Sequence, residues 1–183
     1  MPKSMIVSIR PEWLQMILNG EKEFEFRNWK VPVGTALYFY CTKGKLYLHH
    51  RPTENCTTHY VVWDKPSVFH TTLNGKVVAK AVVDEVYIID RTQAVSYLRD
   101  FVPLDVQNHI NKYDCAGGMD DKIIDDLDII DLNKLGYTNQ KYALKLKNIE
   151  PITPRKITSF TKANGEQLQH APQSRVWVEE NLE

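Results

Sequence analysis

Long apolar runs are missing from this 183-residue chain. No stretch approaches the roughly 18 consecutive apolar residues of a membrane-spanning helix, which excludes that class of membrane protein. The opening MPKSMIVSIRPEW likewise lacks the apolar core of a secretory signal. Cysteine is scarce. Cys41, Cys56 and Cys115 are odd in number and show no CxxC spacing, so a disulfide framework is excluded and a reduced, cytoplasmic setting is expected. Net charge is absent too, with 23 Lys and Arg against 23 Asp and Glu, which argues against a protein that holds nucleic acid by bulk electrostatics alone. Internal repeats and low-complexity tracts are lacking. The length therefore suits a single domain over residues 1–183, large enough to bury roughly 70% of its unfolded surface without staples.

What charge there is, is unevenly placed. Residues 1–51 carry eight basic against four acidic side chains and residues 132–183 carry eight against five, whereas residues 84–131 carry four against twelve. The ends are basic and the middle is acidic, a distribution that leaves a positive face away from the acidic block. RPEWLQMILNG opens with Pro11, suited to the first helical turn, and closes with Gly20, suited to the left-handed position after a helix. Trp13, Leu14, Ile17 and Leu18 make one apolar stripe on it. KEFEFR alternates with period two and predicts a strand on which Glu25 and Arg27 share a face. ALYFYCT predicts a central strand that pairs with it, and KLYLHH a return strand. Residues 51–75 predict an irregular excursion ending in a turn at Asn74-Gly75. KVVAKAVVDEVYIID predicts the strongest strand, and residues 92–135 an acidic, α-helical insert. QKYALKLKNIEPI predicts a strand stopped by Pro151 and Pro154, and SRVWVEE a last short one. Helix, strands, helical insert and strands in that order predict a mixed α+β domain around a small sheet or barrel.

Five charged side chains fall in the eight residues from Gly20 to Arg27. Their plain reading is the solvent side of a strand. The alternative is an inward-facing Glu25 and Arg27 at a barrel mouth, which would need each other because an unpaired buried charge is very costly. The spacing G-x-K-x-x-E-x-R, here Gly20, Lys22, Glu25 and Arg27, follows a Pro-initiated helix and precedes YFYCTKG. In this the chain resembles the ASCH domain family of the PUA-like β-barrel superfamily. The ending NGEQLQHAPQSRVWVEE is similar to that of phage and prophage-encoded ASCH proteins, with Arg175 standing where that ending has an aromatic.

The resemblance implies a PUA-like small β-barrel with an N-terminal helix and an appended α-helical insert. It also implies a cleft, lined by the G-x-K-x-x-E-x-R strand, that binds RNA, another nucleic acid or a nucleotide. In that cleft Lys22 and Arg27 would meet phosphate, and Arg27 or Arg10 would fork onto a base edge. Glu25 would accept from an exocyclic amino group, Trp13, Trp29 and Tyr40 would stack, and Lys43 in the following turn would touch phosphate. The rival reading is a metal-independent hydrolase, since family members that deacetylate acetylcytidine or cleave RNA are known; Lys22 and Glu25 would then be the catalytic pair. The deacetylating mechanism calls for a threonine three residues after the lysine, where this chain has Glu25, a general base at best. No cofactor and no metal is expected. His49, His50, Cys56, His59 and His70 lie close in sequence, but lack the two well-spaced ligand pairs of a zinc site.

Overall fold

A computed structural model describes residues 4–52, 58–88 and 140–179. The expected helical insert, 92–135, lies outside them. β1 (Ser4–Ile9) leads into α1 (Pro11–Leu18), then β2 (Phe24–Arg27), β3 (Ala36–Cys41), β4 (Tyr47–Pro52), β5 (Thr58–Trp63), β6 (Thr71–Thr72) and β7 (Lys76–Ile88); β8 (Tyr142–Lys156) and β9 (Arg175–Val178) complete the described chain. Six strands make the main sheet in the order β2-β8-β7-β3-β1-β9, with β1 parallel to β3 and the other pairs antiparallel. β5, β4 and β6 form a smaller sheet.

The core forms on both faces of the main sheet. Met5, Val7 and Ile9 of β1, Leu37, Phe39 and Cys41 of β3 and Leu144 and Leu146 of β8 make the inner face, closed by Leu14 and Ile17 of α1. Ile6, Tyr40, Val77, Phe160, Leu168 and Val178 pack on the outer face. β1 is therefore buried on both sides, all six of its residues included. A strand in that position has no solvent side to set an apolar–polar alternation, and its two polar residues, Ser4 and Ser8, are buried as well.

Side chains bring the two edges of this sheet together. β2 is one edge and β9 the other, yet Arg27 at the end of β2 donates to the Ser8 carbonyl of β1 at 2.8 Å. Just beyond β2, Trp29 Nε1 donates to Ser174 Oγ, next to β9, at 3.1 Å. The sheet is thus curled into a small, side-chain-closed β-barrel with a helix near its N-terminus, the architecture that the ASCH resemblance implies.

Three local expectations are corrected. β2 does not pair with ALYFYCT: its neighbour is β8, with Glu25 opposite Leu144, and it is an edge strand. Pro151 and Pro154 do not stop β8, which runs 15 residues. The β7 register jumps between Val77, opposite Arg155, and Ala79, opposite Pro151, so Pro154 falls in the irregular stretch between paired positions, where a proline is tolerated. Residues 51–75 are not an irregular excursion throughout, because they contain β5 and β6. β5 is tied to the helix end by one side chain: the Asn19 amide donates to Tyr60 O at 2.8 Å and accepts from Tyr60 N at 3.0 Å, taking the place of a neighbouring strand.

Candidate functional site

The helix end aims the first charge inward. Gly20 takes φ +77°, the left-handed conformation that ends the helix. The backbone N–H groups of Glu21 and Lys22 then both close on the Met16 carbonyl. This turn buries Lys22 to 2% exposure, and its ammonium donates to the Phe24 carbonyl and to Glu25 Oε2, the latter at 2.9 Å. β2 carries on from there. Glu25 lies opposite Leu144, an inner-face residue, so its carboxylate points into the barrel, while Phe24 and Phe26 alternate to the other side. Arg27, two residues on, donates from one terminal nitrogen to Glu25 Oε1 at 2.8 Å and to the Ser8 carbonyl.

Glu25 is therefore held from both oxygens by two cations. Burial alone would push its carboxyl up; Lys22 and Arg27, by charge and by hydrogen bond, outweigh that and hold it below the usual carboxylate range. The carboxylate stays ionised at neutral pH and acts as the counter-ion that fixes both bases. Lys22, with its ammonium buried and engaged, offers no exposed donor to a phosphate. The more open end of the seam lies beyond it, at Arg27 and Trp29.

That end is built around Trp29. Its indole packs against the inner core, its N–H is fixed by Ser174, and the Arg27 guanidinium lies 5.5 Å from its ring. The Arg175 guanidinium lies closer still, at 4.4 Å. The 172–175 segment that supplies Ser174 and Arg175 is bolted to β1: the Ser8 N–H donates to Ser174 O and the Ser8 hydroxyl to Pro172 O. Among the described residues, three cations, Lys22, Arg27 and Arg175, thus stand with one paired carboxylate, Glu25, in the seam. Arg10, exposed two residues after Ser8, caps the start of α1 with its carbonyl.

The other expected members have different neighbours. Tyr40, 7% exposed, packs with Ile6, Val77 and Phe160 on the outer face of the sheet, opposite to the face that carries Glu25, and burial pushes its phenol up. It is a packing residue and not part of the seam. Lys43 is exposed in the turn after β3, with its stem beside Gly75. Trp13 packs on the core from α1. Of the histidines, His49 is fully buried in β4, its ring 4.8 Å from Trp63; Cys56 lies outside the described residues. Ser8, Ser174 and Arg175 complete the seam, and sequence reasoning assigned none of them a role. The signal available was the aromatic-to-arginine departure at 175.

No protein-family model and no curated protein matches the chain. Among solved structures it is similar to ASCH from Zymomonas mobilis, with a TM-score of 0.45 and 17% identity over 97% of this chain and 89% of that one. Two single-substitution variants of the same protein give TM-scores of 0.47 and 0.46 at 16% and 15% identity, covering 97% and 98% of this chain and 91% and 92% of theirs.

Proposed function

We propose that the protein is an ASCH-type binding module for single-stranded RNA or for modified bases. The observation that supports this most is the Trp29 indole, fixed in orientation and flanked by the guanidinium groups of Arg27 and Arg175. A rigid aromatic face beside two guanidinium groups, one held by Glu25 and one exposed, suits an unstacked base and its phosphate. In this reading Lys22 and Glu25 are a buried brace that orients Arg27, and Arg27, Trp29 and Arg10 face the ligand. A reduced, cytoplasmic setting is part of the proposal and rests on three cysteines without CxxC spacing. Among the described residues no helix is long and apolar enough to cross a membrane. A phage or prophage source rests on the NGEQLQHAPQSRVWVEE ending.

The hydrolase reading has the Lys22–Glu25 pair in its favour and its electrostatics against it. A carboxylate held below its usual range by two cations is a weak general base. Binding of a single-stranded oligoribonucleotide, measured across a salt series, tests the proposal. The wild type should bind with salt-sensitive affinity, and Arg27→Ala, checked by thermal melting to remain folded, should bind more weakly with a salt slope smaller by about one. Cofactor-independent turnover of RNA or acetylcytidine that vanishes in Glu25→Gln would replace the module with the enzyme.

A further inference from the structure

Arg175 has a partner in Trp29 and, among the described residues, no opposite charge paired with it. Among the described residues no carboxylate lies within ion-pair distance of its guanidinium, whereas Lys22 and Arg27 share Glu25. It is exposed, at the start of β9, and rests on the indole face at 4.4 Å. An exposed cation–π contact is a weak interaction, whereas a charge-assisted, forked contact to phosphate is stronger. The guanidinium is thus held by the weaker of two interactions it is suited to make. The ring beneath it is not free to follow. Trp29 is packed on the core and pinned through Nε1 to Ser174 Oγ at 3.1 Å, and Ser174 is the residue before Arg175. One short segment therefore fixes the aromatic face and supplies the cover over it.

We infer that Trp29 and Arg175 form a subsite for a planar base bearing a phosphate, in which the base takes the indole face and the displaced guanidinium turns to the phosphate. An aromatic at position 175 would stack but not neutralise; a guanidinium does both in turn. The inference rests on the binding-module reading and names the ligand class of its site. Base and phosphate belong equally to a free nucleotide and to a nucleotide within a chain. The prediction common to both is a phosphate-dependent preference that passes through Arg175, with the Trp29 ring as its reporter.

The chain has four tryptophans, so the reporter must be specific. In 15N-labelled protein the Trp29 indole N–H resonance is assigned by its loss in Trp29→Phe and, independently, by its shift in Ser174→Ala. Adenosine, AMP, inorganic phosphate and a short oligoadenylate are then titrated. AMP should move this resonance and bind at least tenfold more tightly than adenosine. Arg175→Ala should abolish that preference, and Arg175→Lys should keep part of it. An oligoadenylate that moves the resonance through Arg175 where AMP does not would assign the site to a nucleotide within a chain, and supports the inference. Equal affinity for AMP and adenosine, a preference that survives Arg175→Ala, or inorganic phosphate alone reproducing the shift would each overturn it. Oligonucleotide binding that depends on Arg27 but leaves the Trp29 resonance unmoved would overturn this inference and leave the module standing. No binding of any of these by the wild type would overturn both.

Discussion

The seam on β2 and the charged ladder between β7 and β8 are made from the same side chains at similar distances. Glu25 takes Lys22 at 2.9 Å and Arg27 at 2.8 Å; across the ladder Lys80 meets Glu150 at 2.9 Å and Lys147 meets Asp84 at 2.6 Å. Water separates the two regions. The side chains of Lys22, Glu25 and Arg27 are 2%, 8% and 16% exposed, whereas those of Lys80 and Glu150 are 42% and 56% exposed. Coulombic attraction is screened in the ladder and strong in the seam, but the seam alone carries a desolvation cost, which the shared Glu25 carboxylate offsets although Arg27 Nε stays buried without a hydrogen-bond partner among the described residues. Distance therefore does not rank these pairs; burial of the paired charges does.

The largest expected effect comes from removing the seam's one counter-ion. Glu25→Ala leaves Lys22 and Arg27 inside the barrel without their counter-ion, and removing one member of a buried pair typically costs about 3–5 kcal/mol. Urea unfolding should show the midpoint falling with the slope unchanged. Replacing Lys22, Glu25 and Arg27 together by Met, Leu and Met should recover much of that loss, since well-packed apolar residues often replace buried ion pairs at little cost. A Glu25→Ala penalty under about 1 kcal/mol would mean that water reaches the seam, and the contrast with the ladder would collapse.

Acid sharpens the same contrast without changing the chain's partners. The Glu25 carboxyl is lowered in the folded protein from an ordinary value of 4.5, so its contribution to stability is fully present above that value. It is lost as pH falls through the depressed folded value, where protonation removes the counter-ion. Melting temperature measured from pH 6 downward should therefore fall more steeply for the wild type than for Glu25→Gln, which has no proton to take up there. Parallel curves for the two proteins would show that other carboxylates carry the acid response.

How much of this was legible before the structure depends on whether the signal was local. α1 was readable because Pro11 and Gly20 mark its ends chemically, and Gly20 does take the positive φ. The shared face of Glu25 and Arg27 follows from strand alternation, and the need for the two to pair follows from the cost of burial. β1 was not readable: MIVSI is buried on both faces, so neither period appears in it. The partner of β2 was misassigned because ALYFYCT is near in sequence, while the true neighbour, β8, lies more than a hundred residues away. The prolines misled for a related reason, since whether Pro154 breaks a strand depends on the register of β7 opposite it. Arg175 was noticed only as a departure from an expected aromatic; its place over Trp29 needs the closure of the sheet, which no local pattern encodes.

The smallest expected effect belongs to the ladder, and its smallness is the point. Lys80 and Glu150 are directly opposite in the β7–β8 register, as are Glu85 and Lys145. Such cross-strand pairs favour one register over a slipped one, in which the charges would face apolar neighbours. Their net contribution in the correctly folded protein is another matter, because both partners of the Lys80 pair stay hydrated. A double-mutant cycle on Lys80→Ala and Glu150→Ala should give a coupling of about 0.2–1 kcal/mol. Raising the salt to 1 M, where the screening length is about 3 Å, should remove most of it. The Glu25→Ala penalty, set by desolvation inside the barrel, should survive the same salt nearly intact. A ladder coupling that resists salt, or a seam penalty that fades with it, would show that the division between the two regions is not one of water access.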